Sequence, residues 1–238
     1  MKYLITNADD FGFTRDVNEG IVHAHRHGIL TATTLMATGP AFDHAVALAR
    51  ENPDLDIGVH LVLVGGKGYP STVARLVASL GTIRIYDELA RQIAKVIEAG
   101  IWPTHLDTHK HTHVLPPVLG AVARLAEEFK IPWVRRPLAG LRLFGRELAS
   151  RGCRTTDHFA GFSLTGRYDA SRLAKLVRRL PEGVTEFMCH PGFCNDELRD
   201  APTRLKESRR RELDALTSPE VRAALMESNV VLTRYANL

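Results

Sequence analysis

The stretch His105–His113 reads HLDTHKHTH, and taken by twos it runs His105, Asp107, His109, His111, His113. In an extended chain successive side chains point to opposite faces, so these five would line one face and Leu106, Thr108, Lys110 and Thr112 the other. Imidazoles and a carboxylate gathered on one face suit a metal ion. Pro103 precedes the stretch and a helical pattern follows it at Pro117–Phe129, which reads as a strand, Thr104–Thr108, ending in a loop. The ends of strands are where α/β folds place their sites. A polar surface strand is the alternative reading of the same residues.

Working outward toward the N-terminus, Asp56–Val64 (DIGVHLVLV) predicts a third strand that holds His60, Leu30–Ala37 a second, and Lys2–Asn7 a buried first strand followed by a loop at Ala8–Phe13. Thr14 is placed to cap a helix whose apolar positions include Val17, Ile21 and Val22 and which Gly28 stops. Further helices are predicted at Phe42–Arg50, Ser71–Leu80 and Tyr86–Ala99. Toward the C-terminus the strands are Pro132–Arg135, His158–Phe162, Thr185–Cys189 and Val230–Arg234, with helices near Leu143–Ser150, Ala170–Leu180, Arg204–Leu216 and Pro219–Met226. Strands alternating with helices imply parallel βαβ units, and about seven of them predict a barrel, complete or distorted. An open doubly wound sheet is the alternative. No GxGxxG or GxxxxGK[ST] follows the first strand, which argues against nucleotide binding.

Composition sets the class. The 238 residues are 45% hydrophobic and 24% charged, as in a soluble globular protein, and predict one domain over residues 1–238. The net charge of +4 is spread, apart from Arg178-Arg179 and Arg209–Arg211, and does not call for nucleic acid. Cys153, Cys189 and Cys194 lack CxxC spacing, which predicts reduced thiols in a cytoplasmic protein. The opening MKYLITNADD runs into acid after a few apolar residues and does not read as a signal peptide, and no apolar run approaches the ~18 residues of a membrane span.

Polar groups gather where the strands end: Asn7-Ala8-Asp9-Asp10, His60, His109 and Cys189-His190-Pro191. In a barrel these ends converge on one mouth. Adjacent carboxylates allow two roles, one binding a metal and the other taking a proton. Asp10, His60 and His109 together form an open metal site of one carboxylate and two imidazoles, with positions left for water and substrate. His23, His25, His27, His44 and His158 have no strand-end context and are read as surface or packing residues.

Four pieces, NADDFG at Asn7–Gly12, GVHLVL at Gly58–Leu63, THLDTHKHTH at Thr104–His113 and MCHP at Met188–Pro191, follow one another in an order that resembles the YdjC-like carbohydrate deacetylases. That family includes chitooligosaccharide deacetylase and the hopanoid-associated deacetylases. The resemblance implies a distorted (β/α) TIM-like barrel of the polysaccharide deacetylase type. It implies a metal-dependent hydrolase that removes acetyl groups from carbohydrates containing N-acetylglucosamine, oligosaccharide or glycolipid. One divalent ion, magnesium or zinc, would be held by Asp10, His60 and His109. Asp9 resembles the general base and His190 the general acid. Asp107, His111 and His113 would touch substrate or support the ligands, and Asn7 and Arg136 are read as positioning substrate.

The partner expected is therefore a small carbohydrate with an N-acetyl group; a homodimer is left open. One departure from the family is the short stretch between His60 and the fourth strand, which lacks the longer loop of many relatives and leaves Gly65–Pro70 as the nearest lid. Aromatics are 7% of the chain, and Trp102 and Trp133 fall beside strands, where packing is the expected role. A non-catalytic sugar- or metal-binding protein and a metal phosphoesterase are the rival readings. The presence of both Asp9 and His190 speaks against the first, and the second commonly needs two metals and more carboxylates than these strand ends offer.

Overall fold

The first strand, β1 (Lys2–Phe11), buries Leu4, Ile5 and Ala8 completely, as a strand covered on both faces does. The computed structural model describes residues 1–65, 68–80, 84–136 and 142–238. It places β1 inside a parallel sheet with β2 (Ala32–Leu35), β3 (Asp56–Leu61), β4 (His105–Thr108), β5 (Trp133–Val134), β6 (His158–Ala160), β7 (Gly183–Cys189) and β8 (Val230–Leu232). The order is β5-β4-β3-β2-β1-β7-β6. β7 lies along Lys2–Ala8 of β1, while β8 (against Lys2–Leu4) and β2 (against Asn7–Phe11) share the other edge.

Successive strands from β1 to β5 are neighbours, without the reversal of a doubly wound sheet. Between the end strands, the bridge recorded among the described residues joins Trp133 to Arg154, just ahead of β6. The sheet thus curls into an incomplete barrel, and the expected distorted barrel is what the chain forms.

Helices fill the crossovers: α1 (Arg15–His27), α2 (Phe42–Glu51), α3 (Val73–Ser79), α4 (Ile85–Glu98), α5 (Pro116–Glu128), α6 (Arg142–Ser150) and α7 (Ala170–Arg178). Three more, α8 (Asp196–Asp200), α9 (Glu207–Leu216) and α10 (Pro219–Glu227), lie between β7 and β8. Thr14 caps α1 as predicted, its Oγ1 accepting from the Val17 amide at 3.2 Å. The charged helix starts at Glu207 rather than Arg204. Residues 66 and 67 of the expected lid Gly65–Pro70 lie outside the described residues.

Trp133 is buried, but Trp102, in the loop before β4, is 63% exposed and does not pack as expected. The three cysteines are buried and unbridged. Among the described residues no helix is long and apolar enough to cross a membrane.

Candidate active site

Because the strands run parallel, their C-terminal ends meet on one side of the sheet. The β1–β7 register pairs Ala8 with Cys189, which sets Asp9 and Asp10 beside His190. β1 does not end at Asn7 as its sequence suggests; it continues to Phe11 with an irregularity between Ala8 and Phe11 against β2. Within it Asp10 has φ 70°, a left-handed conformation that aspartate tolerates. Consecutive strand residues would face opposite ways; a bulge re-aims one of them, and here both carboxylates face the same set of polar side chains.

The β3–β4 register pairs His60 with Asp107. Their side chains meet, His60 Nδ1 to Asp107 Oδ1 at 2.7 Å. Asp107 Oδ2 is taken by Thr34 Oγ1 at 3.0 Å and Arg135 Nη1 at 2.7 Å. Glycine at position 58 is required here, because a Cβ would stand 2.7 Å from the ring of His105. Arg135 follows β5 and is buried; it also clasps both oxygens of Asp9 and reaches Glu186 on β7. Burial would raise the Asp9 carboxyl, but Arg135 together with His60 and His190 outweighs it and holds the acid far below the ordinary carboxylate range.

Asp10 Oδ1 lies 3.4 Å from His60 Nε2 and 3.2 Å from His109 Nδ1, and those nitrogens are 3.2 Å apart. Donors about 2.0–2.2 Å from one ion stand roughly 3.0–3.6 Å from each other, so the three fit around a divalent metal. Two further observations agree. Asp10 Oδ1 is buried and has no well-formed hydrogen bond among the described residues. Four carboxylates (Asp9, Asp10, Asp107, Glu186) face two guanidinium groups (Arg135, Arg209), a deficit a divalent cation would balance. Burial opposes charge on His60, yet Asp107, Asp10 and Asp9 lift its imidazole to about 10. The alternative trio Asp9, His60 and Asp107 is less open, since Arg135 and His60 Nδ1 already engage those carboxylates.

The remaining wall comes from α9. Arg209 Nη2 donates to Asp10 Oδ2. Glu212 accepts from the His190 amide at 2.6 Å and from the Gly166 amide at 2.6 Å. His190 Nε2 is 3.8 Å from Asp9 Oδ2, and burial lowers its imidazole below the usual histidine range. Asp9, Asp10, His109, His111 and His190 open into one pocket of about 510 Å³, with Phe162 at its rim.

Not every residue read from the sequence joins this cluster. β4 stops at Thr108, and Lys110 and His111 turn to φ 54° and 52°, so the alternation of HLDTHKHTH ends there. His111 reaches the pocket by that turn. His113 is fully buried on Thr108 Oγ1 and His105 on Tyr235, so neither is open to a substrate. Asn7 is also fully buried, between His105 Nε2 (2.9 Å) and Asp9. Arg136 donates to the Asp157 carbonyl instead; its neighbour Arg135 points inward. Arg135, Glu186, Arg209 and Glu212 escaped the sequence reading. A signal existed for two of them: Arg209 and Glu212 share the helical face of Leu213 and Leu216, where buried charge needs a partner.

The model of YdjC-like proteins matches residues 3–227. The chain belongs to the YdjC-like family. A carbohydrate deacetylase of Brevibacillus brevis is 34% identical to this YdjC-like chain, the match covering 99% of each. A chitooligosaccharide deacetylase of Serratia marcescens is 34% identical over 100% of this chain and 99% of its own. Among solved structures, an Enterococcus faecalis protein named for cellobiose-phosphate cleavage superposes with a TM-score of 0.87 at 28% identity, covering 99% of this chain and 98% of that one. A family 4 carbohydrate esterase of Streptomyces lividans shares the fold at a TM-score of 0.50 and 11% identity, over 98% and 92% of the chains.

Proposed function

We propose that the chain is a metal-dependent carbohydrate N-deacetylase, working as a single domain in the cytoplasm on small acceptors that contain N-acetylglucosamine. The convergence of Asp10 Oδ1, His60 Nε2 and His109 Nδ1 beside an ionised Asp9 carries this reading. The names of the relatives support the acyl-sugar chemistry. Asp10, His60 and His109 would hold one divalent ion, magnesium or zinc; two imidazoles with a carboxylate suit zinc on ligand softness. When bound, such an ion polarises the amide carbonyl and lowers the pKa of water.

The chain's own groups do the rest. Asp107 orients His60 so that Nε2 keeps its lone pair for the ion. Arg135 fixes Asp9, which takes a proton from the attacking water. His190, neutral at rest, receives that proton across 3.8 Å and delivers it to the departing sugar amine as the C–N bond breaks.

One observation favours a second assignment. Arg135 engages both Asp9 oxygens and so weakens the carboxylate as a base. In that case His190 takes the proton directly and Asp9 steadies the imidazolium. Leaving-group dependence separates the two: an aryl acetate, which needs no acid, restores turnover to His190→Asn if Asp9 is the base and not if His190 is. The function itself is tested by acetate release from N-acetylglucosamine oligomers, using protein stripped by chelator and reloaded with magnesium or zinc. Folded, reloaded protein that releases none would overturn it.

A further inference from the structure

Helix α1 carries three histidines, His23, His25 and His27. The His25 ring is engaged, its Nδ1 standing 2.9 Å from the Leu30 carbonyl oxygen. The other two lie four residues apart, which puts them on one face of the helix. Their ring centroids are 4.6 Å apart, and neither ring has a hydrogen-bonding or ionic partner among the described residues. His27 is exposed, and His23 is half-buried against Phe193, with ring centroids 5.5 Å apart. The nearby cations are engaged elsewhere: Arg210 donates to Asp214 at 2.9 Å and Arg222 to the His27 carbonyl. Burial, His27 and Arg210 together outweigh Asp214 and keep the His23 imidazole below its ordinary range, so its nitrogen lone pair is free at neutral pH.

Two imidazoles four residues apart on a helix can chelate one metal ion. An ion about 2.0–2.1 Å from an imidazole nitrogen lies roughly 3.2 Å from the ring centroid. Centroids at the observed spacing then subtend about 90° at the ion, the angle between neighbouring positions of octahedral or tetragonal coordination. α1 ends at His27, where the negative end of the helix dipole favours a cation. We propose that His23 and His27 form a second metal site, separate from Asp10, His60 and His109, that takes a divalent transition ion. Copper binds most tightly on imidazole, nickel and zinc less so, and magnesium not at all. α1 starts just after the aspartates and rises about 1.5 Å per residue, which sets the pair roughly 12–18 Å along the helix from that end. Water completes the shell, so the ion exchanges readily and desalting removes it.

The test titrates nickel by calorimetry into the full chain after zinc loading and desalting. One saturable binding event is expected beyond the zinc already held. His23→Gln and His27→Gln should each weaken it by roughly tenfold or more, because a lost donor costs more than a lost supporting residue. His25→Gln should leave it unchanged, since that ring is engaged by Leu30. His60→Ala should keep it, which separates it from binding at the strand ends. No saturable event in the wild-type chain, or one that survives both His23→Gln and His27→Gln, would overturn the site. Nickel binding lost in His60→Ala alone would do the same, by placing the ion among the strand-end donors.

Discussion

Arg135 holds Asp9 by two hydrogen bonds, Nη2 to Oδ1 at 2.6 Å and Nη1 to Oδ2 at 2.9 Å. Its Nε reaches Glu186 at 2.6 Å, and all three side chains are buried. Removing one partner of such a network leaves unpaired charge in the interior, which typically costs about 3–5 kcal/mol. Arg135→Ala is expected to lose that much stability in urea denaturation. Arg135→Lys recovers part of it, since an ammonium cannot make the paired bonds. A loss below about 1 kcal/mol for the alanine variant would show that the carboxylates find other partners.

Metal content tests the donor set. His60→Ala and His109→Ala are expected to abolish tight binding of zinc or magnesium while the fold survives. Asp107→Asn weakens it by roughly 10–100-fold, because Asp107 only orients His60. Full metal occupancy in either histidine variant, read by elemental analysis, would reject this set.

The adjacent aspartates separate by the same assay paired with turnover. Asp9→Asn keeps the metal and loses acetate release by roughly 10²–10⁴-fold, the usual worth of a proton-transfer group. Asp10→Asn loses affinity for the metal first, since it removes the charge on the donor. The reverse pattern would exchange their roles.

Glu212 joins the His190 amide to the Gly166 amide. Glu212→Gln can accept from one of these N–H groups and turns its amide NH2, a donor, toward the other. kcat is expected to fall about tenfold while KM holds, because His190 shifts and the metal donors do not. An equal change in kcat and KM, or none, would show that Glu212 does not position His190.

Burial pushes the His105 and His113 imidazoles well below the ordinary histidine range. The unfolded chain protonates both below about pH 6.5 while the folded chain does not. It then binds more protons, so stability declines as pH falls through that value and is fully present above it. Each group contributes a slope of up to about 1.4 kcal/mol per pH unit. His113→Gln should remove one group's share of the slope between about pH 6 and 4.5, measured by chemical denaturation at stepped pH. A variant profile parallel to the wild type would contradict a neutral, buried His113.

Legibility along the chain followed the range of each signal. Alternating strands and helices, the Thr14 cap and the Gly28 stop are written in neighbouring residues, and all of them are found in the structure. HLDTHKHTH misled past Thr108 because a period of two holds only while the backbone stays extended. Lys110 and His111 leave that conformation, and nothing local announces it.

The sequence by itself determined the parallel βαβ order, and with it the single mouth to which Asp9, Asp10, His60, His109 and His190 belong. Four of these are marked by a strand end and His60 by its place inside the third strand, features of local periodicity. Only the tertiary structure decided which cations neutralise the buried acids. Arg135 meets Asp9 across 126 positions of sequence and Arg209 meets Asp10 across 199. A buried charge requires a partner within a few ångströms but sets no rule for where along the chain that partner must come from. That choice is made by the curl of the sheet and the docking of α9 over its open end.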